Sequence, residues 1–140
     1  MLLDLQILIV DDEAEVVEEL AYGLRRRAFQ VLTATSGAEA WALLEARDDI
    51  GVAVCDIRMP GLDGHALARC IAARNAAGHA TQVILISGHA TSADEAVARE
   101  AGVFAFLRKP FLGSELRAAA RQALALSLAR RQAEGNAVNA

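Results

Sequence analysis

The side chains best suited to chemistry in this chain stand at the ends of apolar runs. Asp11 and Asp12 close the run Gln6-Ile7-Leu8-Ile9-Val10, and Asp56 closes a second run that begins at Gly51. Ser87 follows a third run from Gln82 to Ile86, and Lys109 follows a fourth from Val103 to Leu107. Brought to one place, three ionised carboxylates repel one another by about 4 kcal/mol per contact pair at an effective dielectric near 20. Lys109, the only lysine in a chain with thirteen arginines, cancels one negative charge and leaves two. Carboxylate and carbonyl oxygens are hard ligands, so Mg²⁺, or Mn²⁺, is the natural counter-ion. A divalent cation, an ammonium and a hydroxyl together suit the charge distribution of phosphoryl transfer. A carboxylate is a competent acceptor, because aspartyl phosphates form by nucleophilic attack. Lysine suits this place better than arginine: a compact ammonium reaches a carboxylate and a phosphoryl oxygen together, whereas a guanidinium is a wide planar fork.

The elements that must gather these residues follow from hydrophobic period. Residues 6–10 form a strand apolar enough to be buried on both faces. Val17, Leu20, Ala21, Leu24 and Ala28 then fall on one stripe of a helix from Glu13 to about Arg27, with Asp12 as its cap and Arg25-Arg26-Arg27 at its negative end. Residues 30–34 read as a second strand. Ser36 with Glu39 marks a capping box for a helix to about Arg47. Residues 51–56 are a third strand, and Arg58-Met59-Pro60-Gly61-Leu62-Asp63-Gly64 is a loop, followed by a helix from about His65 to Ala76. Residues 82–86 are a fourth strand, and Ser92 or Asp94 caps a helix to about Ala101 with Gly102 at its C′ position. Residues 103–107 are a short fifth strand. Ser114 and Glu115 open a last helix, in which Leu116, Ala120, Leu124 and Leu128 repeat every four residues to about Arg131. The expected division is a domain over residues 1–130 and a polar tail, or the start of a linker, over 131–140, fraying after Glu134. Strict strand–helix alternation predicts an α/β fold: a parallel sheet with helices on both faces and right-handed crossovers. In such sheets the strand C-terminal ends converge on one crevice, where ligands bind.

Composition excludes other classes. The 140 residues carry a formal charge of −4, are 54% hydrophobic and 23% charged, and have a pI near 5.3. That suits one folded domain and argues against nucleic acid as the main partner. No apolar run is long enough to span a bilayer, and Met1-Leu2-Leu3-Asp4 lacks the basic region of a secretion signal. A cytoplasmic protein is expected, with Cys55 and Cys70 reduced. Cys55 reads as buried packing, Trp41 as helix–sheet packing, and His65 and His79 have no partner at metal spacing.

At these residues the chain resembles the receiver domain of two-component response regulators, over about residues 5–127. The motifs are Asp11-Asp12, Asp56-Ile57-Arg58-Met59-Pro60-Gly61-Leu62-Asp63-Gly64, Ser87-Gly88 and Phe106-Leu107-Arg108-Lys109-Pro110-Phe111. The resemblance implies a flavodoxin-like, doubly wound sheet of five parallel strands in order 2-1-3-4-5 with five helices. It implies that Asp56 accepts a phosphoryl group from a histidine kinase or histidine phosphotransfer protein, with self-catalysed phosphorylation and dephosphorylation rather than turnover of a substrate. Asp12, Asp56 and the Arg58 backbone carbonyl would ligate Mg²⁺ and Asp11 would hold a metal-bound water. Ser87 and Lys109 would bind the phosphoryl group, Phe106 would be the switching aromatic, and the peptide before Pro110 would be cis. Arg58 and His89 are expected to set the lifetime of the phosphorylated state. The surface of the fourth helix, fifth strand and fifth helix would change its partner preference, and a homodimer through it is one arrangement such a surface allows. The chain departs from the commoner pattern in having Ser87 for threonine and Phe106 for tyrosine. Two alternatives stand beside this reading: a Mg²⁺-dependent phosphohydrolase with an aspartate nucleophile, or a fragment of a longer multidomain regulator. The hydrolase needs a second carboxylate two residues after its nucleophile, where this chain has Arg58.

Overall fold

Strands β1 (Gln6–Val10), β2 (Gln30–Ala34), β3 (Ile50–Asp56), β4 (Gln82–Ser87) and β5 (Ala105–Arg108) alternate with helices α1 (Ala14–Arg25), α2 (Gly37–Ala46), α3 (Gly64–Ala76), α4 (Ser92–Glu100) and α5 (Gly113–Asn139). The computed structural model describes residues 4–139, with side-chain surroundings to residue 134. All neighbouring strands pair in parallel, in the order β2-β1-β3-β4-β5. This is the architecture that the strand–helix alternation and the resemblance imply.

Side-chain alternation along the central strands explains their unbroken apolar character. Ile7, Ile9, Val52, Val54, Ile84 and Ile86 pack with Val17, Ala21 and Leu24 of α1 and with Leu116, Ala120 and Leu124 of α5. Leu8, Val10, Ala53, Cys55, Val83 and Leu85 pack on the opposite face with Ala40 and Leu44 of α2, Leu67 and Ile71 of α3, and Ala98 of α4. A strand covered on both faces has no solvent side to mark with polar residues.

The helix ends differ in detail from the sequence expectations. Asp12 does not cap α1. The Asp11 carboxylate accepts the Glu13 backbone N–H at 2.9 Å, while Asp12 is exposed. Ser36 does cap α2, taking the Glu39 N–H at 3.1 Å, but the Glu39 carboxylate reaches back to Thr35 rather than to Ser36. The cap of α4 is Thr91, in a reciprocal capping box with Asp94; Ser92 and Asp94 both lie inside the helix. Gly102 (φ +74°) closes α4 as expected, with Val103 N–H donating to Ala98 O and Gly102 N–H to Arg99 O. That Schellman-type pair uses up Val103, so β5 begins at Ala105. Helix α5 runs past Arg131 to Asn139. Arg131 lies within the folded body: its guanidinium donates to the Asp48 and Ile50 carbonyls and its Nε to the Ser127 hydroxyl. The expected boundary at residue 130 therefore does not coincide with a helix end.

Two glycines set the loop that follows β3. A Cβ on Gly37 would lie 2.1 Å from the Leu62 carbonyl oxygen, and one on Gly64 would lie 2.6 Å from the Asp56 carbonyl oxygen and 2.7 Å from the Ile57 Cα. These obstacles are backbone and have little room to yield. Gly64→Ala is expected to destabilise the fold by about 1–3 kcal/mol and to push the Asp56 backbone out of line, read as a lower denaturant midpoint with an unchanged slope.

Candidate functional site

Register brings the chemistry together. Val10 pairs with Cys55, so Asp11 and Asp12 emerge from β1 beside the end of β3. Asp56 pairs with Ile86, and Ser87 pairs with Arg108, which precedes Lys109. The strand ends on either side of the β1–β3 switch point thus bring Asp11, Asp12, Asp56, Ser87 and Lys109 to one edge of the sheet. One carboxylate oxygen from each of Asp11, Asp12 and Asp56 lies within 4.8 Å of the others. The Lys109 ammonium stands 3.6 Å from Asp11 Oδ2 and 4.0 Å from Asp56 Oδ1.

Burial differs sharply within this group. Asp11 is 1% exposed, whereas Asp12 is open to solvent. Asp11 Oδ2 is buried with no hydrogen-bond donor, and its nearest cation is beyond good hydrogen-bonding distance. An orphaned carboxylate oxygen within a cluster of hard oxygen donors fits a divalent cation in chemistry and in charge. The Asp56 side chain is 13% exposed. Its carboxyl is pushed up from an ordinary 3.8 to about 6, first by burial and next by the negative charge of Asp11. Lys109 and the Ile57 backbone oppose that rise, and Asp12 adds to it.

Backbone contacts hold the hydroxyl and the ammonium. Ser87 is buried, its Oγ accepts the His89 N–H at 3.2 Å, and its carbonyl accepts the Lys109 N–H at 2.8 Å. The Lys109–Pro110 peptide is cis, as expected. Phe106 is half-buried against the core, with the Arg108 guanidinium 6.0 Å from its ring centroid. Cys55 is buried and donates to the Asp56 carbonyl at 3.3 Å; burial pushes its thiol pKa up, consistent with packing rather than redox chemistry. His89 is exposed beside the cleft. The Arg58 side chain turns to α4, where it meets Asp94 at 2.9 Å.

Asp94 and His65 carry structure that sequence reading did not assign. His65 Nε2 meets Asp94 Oδ1 at 3.0 Å, and its Nδ1 is buried without a partner. The Thr91 backbone N–H, then His65, hold the Asp94 carboxyl down at about 2. Only Asp94's place three residues past Thr91 signalled the cap; nothing local signals partners as far away as Arg58 and His65.

A doubly wound sheet with an acidic, cation-compatible pocket at its switch point defines a narrow class of protein. Residues 7–121 match the family model for the response regulator receiver domain. Among curated proteins, the transcriptional regulatory protein PrrA of Mycobacterium tuberculosis is 38% identical over 112 residues, which cover 79% of this chain and 46% of PrrA. The C4-dicarboxylate transport transcriptional regulatory protein DctD of Rhizobium meliloti is 34% identical, over 84% of this chain and 25% of that protein. A response regulator receiver domain protein from Clostridium thermocellum superposes with a TM-score of 0.79 at 29% identity, over 86% of this chain and 94% of that one. The chain belongs to the response regulator receiver domain family. It spans less than half the length of these two transcriptional regulators. No helix among the described residues is long and apolar enough to cross a membrane.

Proposed function

We propose that Asp56 is the phosphoacceptor of a two-component relay in the cytoplasm, charged by a histidine kinase or a histidine phosphotransfer protein. The observation that carries this reading is the Lys109 ammonium set between Asp11 and Asp56 inside the cluster of three carboxylates. An Asp56 carboxylate oxygen attacks the donor's phosphorus. The new O–P bond forms as the P–N bond breaks, and that electron pair returns to the donor imidazole. Lys109 pairs with an oxygen of the arriving group, and the Ser87 hydroxyl donates to another. Asp12, Asp56 and the Arg58 backbone carbonyl would hold Mg²⁺, or Mn²⁺, directly, and Asp11 through a water. When bound, the cation offsets the repulsion between the acidic pocket and the anionic phosphoryl group. Transfer and hydrolysis on Asp56 are self-catalysed steps of a switch that shifts the α4–β5–α5 surface toward a different partner through Phe106. Exposed Val97 and Leu112 lie on or beside that surface, which supports a protein contact there, a homodimer included.

The alternative phosphohydrolase lacks support at one decisive place. The position two residues past Asp56 holds Arg58, and its guanidinium is ion-paired with Asp94. Incubation with Mg²⁺ and acetyl phosphate is expected to add one phosphoryl group by intact mass. The gain should vanish in Asp56→Asn and on chelation; a gain that survives Asp56→Asn overturns the assignment.

His89 and Arg58 flank the route of the attacking water in this reading. Replacing both with alanine is expected to change the dephosphorylation rate several-fold. The decay of the phosphorylated mass with time measures it, and an unchanged rate rejects the role.

A further inference from the structure

Helix α4 is held differently from its neighbours. Its only buried residues are Asp94 and Ala98, whereas α1 buries Val17, Ala21 and Leu24, and α3 buries Leu67 and Ile71 among others. One alanine methyl removes little apolar area from water, so the seat of α4 depends on its polar contacts. These converge on one carboxylate. Asp94 Oδ2 accepts from Arg58 Nη2 at 2.9 Å, from the Thr91 N–H at 2.9 Å and from the Thr91 hydroxyl at 3.1 Å, and Oδ1 meets His65 Nε2 at 3.0 Å.

A capping box needs only the Thr91 contacts. The other two reach outside the helix: Arg58 lies two residues past Asp56, and His65 lies in the first turn of α3. From the other side, Arg108, the residue before Lys109, bonds Glu95 of α4 at 2.7 Å and the Ala90 carbonyl at 2.8 Å. The first turn of α4 is therefore gripped by two arginines, each within two residues of a group in the acidic cleft.

We propose that Asp94 is a latch: with Arg58 and His65 it seats α4, and rearrangement of the loop after Asp56 on phosphorylation loosens α4 through it. The first half of this inference concerns the unmodified protein alone; the second rests on Asp56 being the acceptor. Asp94 is a positioning residue, since it touches Arg58 and not the reacting carboxylate.

The test is amide hydrogen exchange on the whole chain, with and without Mg²⁺ and acetyl phosphate. Asp94→Asn keeps an oxygen for the Thr91 N–H and removes the charge that holds Arg58. In the unmodified protein it is expected to speed exchange over residues 94–101 by about tenfold, with β1 and α1 unchanged. Phosphorylation should speed the same amides in the parent and add little in the variant. Unaltered α4 exchange in Asp94→Asn overturns the latch. If β1 and α4 accelerate alike, Arg58→Ala decides: acceleration confined to α4 supports the latch, and none overturns it. A mass gain in the parent without a change in α4 overturns the coupling while leaving Asp56 as acceptor. No mass gain overturns both.

Discussion

Asp56→Asn is expected to melt about 3–8 °C above the parent at pH 7 without divalent cations. The reason is the crowding of like charge in the cleft. With its carboxyl raised from 3.8 to about 6, Asp56 holds its proton more tightly in the folded chain than in the unfolded one. Its contribution to stability is fully present below about pH 4 and is lost as pH rises through about 6. At neutral pH the ionised group therefore costs the fold on the order of 1–2 kcal/mol, after allowing for solvent at the mouth of the cleft. The amide variant carries no such penalty, so the gap between the two proteins should close on acidification toward pH 4. It should also narrow with Mg²⁺, because ligand binding stabilises only the chain that holds the full donor set. Thermal melts across pH, with and without Mg²⁺, read both effects. Equal melting at pH 7 without metal contradicts the strained acidic pocket.

Lys109→Ala is expected to slow phosphorylation by acetyl phosphate about 10²–10³-fold. The ammonium is the one cationic side chain within 4.0 Å of Asp56 among the described ion pairs, and it is placed where charge builds up on the moving group. Its removal also leaves buried Asp11 Oδ2, already without a donor, with no cation nearby. Lys109→Arg should recover only part of the rate, since a planar fork cannot occupy the space of a point charge between two carboxylates. Mass-detected time courses at fixed Mg²⁺ compare the three proteins. Full rescue by arginine, or an unchanged rate in the alanine variant, contradicts this role for Lys109.

Much of this architecture was legible in the chain because its signals are local. Buried strands such as β1 and β4 announce themselves by unbroken apolar runs, and β1 and β2 have the bounds that period alone suggested. The cleft was legible because parallel strands end on one edge, so residues that terminate apolar runs share a place regardless of their separation. What escaped depends on contacts across the fold. That Thr91 rather than Ser92 caps α4 is decided by where the chain leaves the β4 loop. That Asp11 rather than Asp12 takes the Glu13 N–H is decided by which of the two carboxylates is buried as the chain leaves β1. The close approaches of Gly37 to Leu62 and of Gly64 to Asp56 join segments that no periodicity connects. The Arg58–Asp94 pair spans 36 residues, and no local pattern in either segment announces it. Helix α5 runs past its expected end, with Arg131 anchoring it there to the start of β3; the residues beyond, Gly135-Asn136 among them, carry no local helix signal that a sequence reading could use.

The most direct measurement locates the modified atom. After exposure to Mg²⁺ and acetyl phosphate, borohydride reduction converts an aspartyl phosphate to homoserine, and peptide sequencing by tandem mass spectrometry reads its position. Homoserine at residue 56 and nowhere else is the expected result. Homoserine at residue 11 or 12, or a phosphorylated protein whose residue 56 stays aspartate after reduction, would contradict it.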